Sequence, residues 1–236
     1  KTSFDKKSID QSDSFDNMKE NLKIISLRLI NQKGINNIEF DAQGYPIGFS
    51  QNSQEVLVPA FISAYTGNNA NSVGLNPISD KPKINWSIQY DGLSEGLKDI
   101  FSRISLRHSY RSNFTINNFQ SNLNYSENSF NSVGDYESKI FFSNINLVEQ
   151  FNPLIRVDLE LKNSLRLSFD VIKDRAVSLS LANNLITESW GDEYSIGIGY
   201  RARNLKLWSR FASTGNRFVG DLNTKLDFNI RKNMTV

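Results

Sequence analysis

From Ile84 to the end of the chain, apolar and polar residues alternate one by one. Ile155, Val157, Leu159 and Leu161 interleave with Arg156, Asp158, Glu160 and Lys162. Leu165, Leu167, Phe169 and Val171 interleave with Arg166, Ser168 and Asp170, and Val177, Leu179 and Leu181 with Ser178, Ser180 and Ala182. The same period recurs in Ile104–Tyr110 against Arg103, Arg107 and Arg111, and in Tyr194–Tyr200 against Ser195, Gly197 and Gly199. It recurs again in Leu222–Ile230, where Leu226 and Phe228 alternate with Lys225, Asp227 and Arg231. Successive side chains of a strand point to opposite faces, so period two predicts two-faced strands.

The first 83 residues follow a different rule. Phe15, Met18, Leu22, Ile25 and Leu29 are spaced by three and four, which places them on one face of a helix. Ser12, Asp13 or Ser14 supplies its start and Gly34 its stop. Such a helix either docks on neighbouring protein or lies on a membrane surface. Val56–Gly67 predicts a second, short helix, with Pro59 in its first turn or kinking it. A turn-rich stretch, 67–83, separates these helices from the strands. The expected division is therefore a helical and loop cap or insertion at 1–83 and strands at 84–236.

Residues directly opposite in an antiparallel pair share a face, and this sets the register. A three-residue loop, Lys162–Asn163–Ser164, pairs Leu159 with Leu167 and Val157 with Phe169. It also sets Glu160 against Arg166 and Arg156 against Asp170, two pairs of opposite charge that the apolar match did not impose. The same reasoning at Lys173–Asp174–Arg175 predicts a second tight hairpin, with Val171 opposite Val177 and Phe169 opposite Leu179. Roughly eight to ten strands emerge in this way.

A soluble β-sandwich also alternates. Three features favour a barrel in lipid. The runs reach 8 to 10 residues, the apolar face is nearly free of charge, and the polar face carries paired charges. The predicted fold is all-β: an antiparallel transmembrane β-barrel wall with a short helical N-terminal segment. Its lipid-facing row is Ile155, Val157, Leu159, Leu161, Leu167, Phe169, Leu179, Leu226 and Phe228. Its lumen-facing set is Arg103, Arg107, Arg111, Arg156, Asp158, Glu160, Arg166, Asp170, Lys225, Asp227 and Arg231. An open edge cannot stand in hydrocarbon, so further strands of the same polypeptide are needed to complete the wall.

Composition narrows the chemistry. Lys plus Arg number 27 and Asp plus Glu 25, so no strong field favours nucleic acid. There is no cysteine, which removes disulfides, thiolate metal sites and cysteine nucleophiles. Mean hydropathy is −0.43 and the longest apolar run, Val56–Ile62, is far shorter than the roughly 20 residues of a membrane-spanning helix. The single histidine, His108, sits between Leu106 and Tyr110 on the apolar face, where packing is the expected role. Gly197 and Gly199 fall inside a strand, so no phosphate loop is expected there. Asp158, Glu160, Asp170 and Asp227 each have a basic neighbour and read as rungs of a ladder rather than a catalytic pair. Trp86, Trp190, Trp208 and Tyr194 lie near run ends, where some of them suit an interfacial girdle. The small faces holding Ser178, Ser180, Gly197 and Gly199 are candidates for contact with a bulky plug or partner. No catalytic residue, cofactor or metal ligand is expected.

Several stretches are similar to the C-terminal region of the SprA (Sov) family, outer-membrane translocons of the type IX secretion system in Bacteroidota. These are VPAFISAYTG (58–67), NWSIQYDGL (85–93), LRHSYRSNFTINNF (106–119), Glu149–Glu188 and EYSIGIGYR (193–201). The resemblance runs from about Leu22 to Val236 and lies in the ordered series, not in a catalytic motif. It departs in loops such as 126–134 and 214–217. It implies a very large single-chain barrel that passes folded proteins across the outer membrane of a Gram-negative bacterium. It also implies partners: lipopolysaccharide, the remainder of the barrel, a PorV-like barrel protein, a periplasmic plug protein and the secreted cargo. The alternatives are another outer-membrane transporter barrel and a secreted β-sandwich adhesin or carbohydrate binder.

Overall fold

The computed structural model describes residues 13–76, 84–208 and 217–236. Two helices come first, α1 (Asp13–Gln32) and α2 (Gln54–Thr66). They are followed by β1 (Trp86–Tyr90), a 3-10 turn at Gly92–Leu97, and β2 (Phe101–Asn117). An excursion then carries a two-stranded ribbon, β3 (Gln120–Ser121) with β4 (Ile140–Phe141). The chain closes with β5 (Asn144–Leu161), β6 (Leu165–Ser180), β7 (Leu185–Trp208) and β8 (Arg217–Thr235). Six of these strands form one antiparallel sheet in the order β1-β2-β5-β6-β7-β8. Among the described residues the sheet is open, with β1 and β8 at its edges.

Both predicted helices are present. In α1 the stripe Met18, Leu22, Ile25 and Leu29 is buried, Asp13 and Asp16 complement the dipole of the first turn, and Gly34 adopts the left-handed conformation (φ 74°) just beyond the end. α2 is buried all round from Val56 to Tyr65 and stops at the left-handed Gly67. Pro59 lies inside α2, not in its first turn. α1 docks on protein: its stripe shares one core with α2 and with Ile145, Leu147, Val177 and Leu179 of the sheet. The helical segment and the strands are thus joined by a common interior.

The hairpin at Lys162–Ser164 has the predicted register, with Val157↔Phe169, Leu159↔Leu167, Glu160↔Arg166 and Arg156↔Asp170. Ser164 takes φ 67° and donates its N–H to the Leu161 carbonyl, closing the three-residue loop. The second predicted hairpin does not exist. β6 runs without a break through Lys173–Asp174–Arg175, Val171 pairs with Ile155 and Tyr194, and the chain reverses only after Ser180. The charged triplet breaks the alternation but not the strand, because each charge has a partner on its own face. Lys173 pairs with Asp192 (3.6 Å), Asp174 with Arg231 (3.1 Å), and Arg175 with Glu188 and Glu149. The strands of the main sheet are accordingly longer than expected, 16 to 24 residues from β5 to β8.

Length gives each strand two differently covered halves. Near the β2–β5 excursion and the 181–184 turn, the helices lie over the apolar face. The excursion is tied down there. The Asp135 carboxylate accepts from the Ser50 N–H (2.6 Å) and hydroxyl (2.7 Å). Gln54 donates to the Ile140 carbonyl (2.7 Å) and accepts from the Phe142 N–H (2.8 Å). The Lys33 ammonium lies 3.5 Å from the Tyr136 ring centroid. Toward the 162–164 turn the same face is largely uncovered on β7 and β8 and half-buried on β5 and β6.

A buried ionic cluster marks the boundary. Arg175 is only 1 % exposed, between Glu149 and Glu188, which are also buried. Its Nε donates to Glu188 (2.5 Å), a terminal nitrogen reaches the Ser14 hydroxyl of α1 (3.4 Å), and its guanidinium lies 5.3 Å from the Tyr65 ring centroid of α2. The Tyr110 hydroxyl donates to Glu149 (2.5 Å). One cation thus ties three strands to both helices. Removing one partner of a buried ion pair strands the other charge. Arg175→Leu is expected to cost about 3–5 kcal/mol in cap docking, seen as faster amide exchange across α1 in the full-length protein, while the triple change with Glu149→Gln and Glu188→Gln restores most of the protection.

Burial pushes the Glu55 carboxyl of α2 above its ordinary range, against the lowering effect of a Ser138 hydrogen bond and the Lys33 and Lys139 charges. A raised folded pKa means that the folded cap holds the proton more tightly than the unfolded one. Ionised Glu55 therefore destabilises at neutral pH, and stability is gained as pH falls through the folded value toward the unfolded one. Glu55→Gln is expected to slow amide exchange in α2 at neutral pH, a difference that vanishes near about pH 4 where both states are protonated.

Candidate functional site: the two faces of the sheet

Pairing registers assign every strand residue to a face. The apolar face carries Ile155, Val157, Leu159 and Leu161 of β5, Leu167 and Phe169 of β6, Ile196 and Ile198 of β7, and Leu226 and Phe228 of β8. These residues form a contiguous patch that is open toward β7 and β8, where Ile198 is 42 % and Phe228 58 % exposed, and half-buried toward β5; Ile104 of β2, in the same row opposite Leu159, is buried. Leu179 belongs to the same row but not to the patch. It is fully buried in the core beneath the helices, as is Val177. Its expected lipid contact is therefore corrected: the two stretches share a face, with Lys173 and Arg175 between them, and only one is covered.

The bare band has limits. On one side runs a ladder of charges paired across three strands, Lys173↔Asp192↔Lys232. By register Tyr194 sits one rung inside this level and Tyr200 lies toward the opposite limit, whereas Tyr90, opposite Leu106, falls within the band at the level of Val157 and Phe169, and Trp86, opposite Tyr110, lies beside the charged level. Trp190, proposed with them from sequence, is instead buried at the ionic cluster, and the side chain of Trp208 lies outside those described. His108 is packed in an aromatic group with Trp86 (6.3 Å) and Phe151 (5.7 Å), and its Nδ1 lies 2.6 Å from the Leu154 carbonyl oxygen.

All eleven residues expected on the opposite face are there by register, from Arg103, Arg107 and Arg111 on β2 to Lys225, Asp227 and Arg231 on β8. Most of them form an ion-pair ladder. Arg156 holds Asp158 (2.9 Å) and Asp170 (3.6 Å), Arg166 holds Glu160 (3.1 Å), Lys225 holds Asp227 (2.9 Å), and Arg231 holds both Glu193 (3.0 Å) and Asp174 (3.1 Å). Each such pair, at least partly exposed, is worth little to stability; what the ladder contributes is a continuously hydrated surface.

The four small residues do not form one patch. Gly197 and Gly199 sit opposite Ser168 and Arg166, near the bare end of β6, whereas Ser178 and Ser180 lie at its capped end. Ten residues separate Ser168 from Ser178, about 33 Å along the strand. At Gly197 the space of a side chain is already taken by Ser168 Oγ and Asp227 Oδ1, leaning in from the two flanking strands. Gly199 is roomier, with Thr224 O at 3.4 Å and Arg166 Cβ at 3.6 Å from the site of a Cβ. The feature that sequence reasoning missed is the hollow these glycines leave. It has a volume of about 480 Å³ and is walled by Arg107, Arg156, Arg166 and Lys225. The signal was present in two glycines alternating within a charged ladder, but a hollow depends on neighbours three strands away.

Among the described residues no group of His, Cys, Asp or Glu has the arrangement of a metal site. No described helix is long and apolar enough to cross a membrane, which says nothing of strands.

Gly197→Ala is expected to destabilise by about 1–2 kcal/mol, because Ser168 and Asp227 must swing away, whereas Gly199→Ala stays within about 0.5 kcal/mol; urea unfolding of the two full-length variants in detergent separates them. Compared with known proteins, the chain matches no family model and no curated protein sequence.

Proposed function

We propose that this chain is a section of the wall of an outer-membrane protein-translocation channel of the SprA (Sov) kind, in which the bare aliphatic band meets lipid and the ion-pair ladder lines the pore. The observation that carries the reading is the unequal cover of a single row. At Leu179 the row is sealed by the protein's own helices; at Phe169, Ile198 and Phe228 it is open over several strands. A contiguous exposed aliphatic patch of this extent marks a contact surface. A band with Tyr194 at one end and Tyr200 at the other, and a charge ladder beyond Tyr194, suits an acyl layer.

Dimensions support the same reading. On β7 the uncharged stretch of the apolar face runs from Tyr194 to Ala202, nine residues, within the roughly 9–11 of a tilted spanning strand. On β6 it runs from Leu165 to Val171 before the chain turns back. The β-hairpin of β7 and β8 extends beyond that turn. The free edges at β1 and β8 require neighbours, which in this proposal are further strands of the same polypeptide. The helical cap would then stand outside the acyl layer, against the projecting half of the wall.

Function in this reading is conduction without chemistry: the wall excludes lipid and offers water and paired charges to a folded cargo. The PorV-like barrel, the periplasmic plug and the secreted cargo enter as partners through the resemblance alone. A soluble β-sandwich would need a second layer over Phe169 and Phe228.

Phe169→Arg or Ile198→Arg is expected to cost about 2–4 kcal/mol in the lipid-exposed band, lowering the yield of heat-modifiable, folded full-length protein in outer membranes, while Leu161→Arg at the band limit costs less. Photo-crosslinkers placed at Phe228 and Lys225 should label lipid from the first position only. Equal labelling from both, or a protein that stays monodisperse without detergent, ends the proposal.

A further inference from the structure

The hollow over Gly199 has features that a plain charge ladder does not need. Six cations line it (Arg103, Arg107, Arg156, Arg166, Arg201 and Lys225), against two carboxylates, Asp158 and Glu160. The other acids that partner these cations, Asp91, Asp170, Asp221 and Asp227, stand outside the lining. Arg107 and Arg156 face each other directly across β2 and β5, an arrangement of like charges that costs stability in a sheet. Arg156 is relieved by its two aspartates; Arg107, which is exposed, has no carboxylate within 4 Å among the described residues. A guanidinium offers five N–H donors in a fixed fork, and Arg107 spends none of its own on a carboxylate of the sheet.

The geometry points to a binding track for an extended acidic polypeptide segment, running across the strands from Arg107 over the Gly197–Gly199 floor to Lys225. Gly199 lets a backbone lie close to the sheet, and alternate carboxylates of the segment meet the cations on either side. A hollow of about 480 Å³ that is open to one face suits several residues of extended chain rather than a single small anion. Arg107 is the cation that gains most, since its charge is unneutralised without a visitor. The wall reading supplies only the compartment from which the segment arrives, the pore; the binding itself does not depend on it.

The test uses the full-length protein in detergent and a fluorescein-labelled peptide of alternating Glu and Ser, with a Gln-Ser peptide as control, read by fluorescence polarisation. The acidic peptide should bind about tenfold more tightly than the control at low salt, with the difference shrinking as salt screens it. Arg107→Gln, which touches no ion pair of the fold, should weaken it about threefold. Gly199→Val, which adds bulk but no charge, should weaken both peptides, and heat-modifiability of each variant reports that the barrel is intact. Equal affinity for the two peptides, indifference to both substitutions, or complete displacement by millimolar inorganic phosphate would each overturn the track. None of these outcomes bears on lipid labelling at Phe228, so the failure of one proposal is distinguishable from that of the other.

Discussion

A row of aliphatic side chains cannot be left in water along a strand of 16 to 24 residues without some other surface to cover it. That constraint organises this molecule. Each long strand offers apolar residues along one face, interrupted by charge, and the chain covers only part of them. Helices α1 and α2 seal the row over Ile145, Leu147, Val177 and Leu179, and the rest is left bare. The division of labour is written into the strands as a change of chemistry. Between the two halves the apolar face switches to Arg175, Glu149, Glu188, Lys173 and Asp192. Where the helices lie close, those charges are buried and paired among themselves; at the open margin they form a hydrated ladder.

This arrangement explains why the cap belongs to the wall. An Arg buried between two Glu is a poor source of net stability, yet it marks one seating of the helices, because Ser14 of α1 and Tyr65 of α2 both meet the guanidinium that the strands hold in place. Ser14 and Tyr65 bring α1 and α2 to the same guanidinium, so the helices are indexed against β5, β6 and β7 at a single point. The excursion between β2 and β5 adds a second anchor through Asp135 and Gln54. The polar face needs no such device. Its ladder of Arg, Lys, Asp and Glu is content in water, and the glycines of β7 open a hollow in it.

Much of this was legible in single residues and their spacing. The two periods, three-to-four and two, separate the helices from the strands, and the sign-matched pairs Glu160–Arg166 and Arg156–Asp170 specify one hairpin register. Face assignment followed directly, since parity along a strand is conserved wherever pairing is unbroken. The misreading at Lys173–Asp174–Arg175 is instructive. Three consecutive charges resemble a turn when only local pattern is weighed, and nothing nearby reveals that Asp192, Arg231, Glu149 and Glu188 wait on the neighbouring strands to receive them.

Sequence by itself determined which side chains share a face, because alternation in a strand is a property of the backbone and needs no partner. Only the tertiary structure decided which stretch of that face is covered. Leu179 and Phe169 are indistinguishable by pattern, ten positions of the same strand saying only that both point one way, yet one is sealed under α2 and α1 and the other lies 41 % exposed. Cover is a relation between elements far apart in the chain, set by where the Arg175 cluster seats the helices, and no local period encodes it.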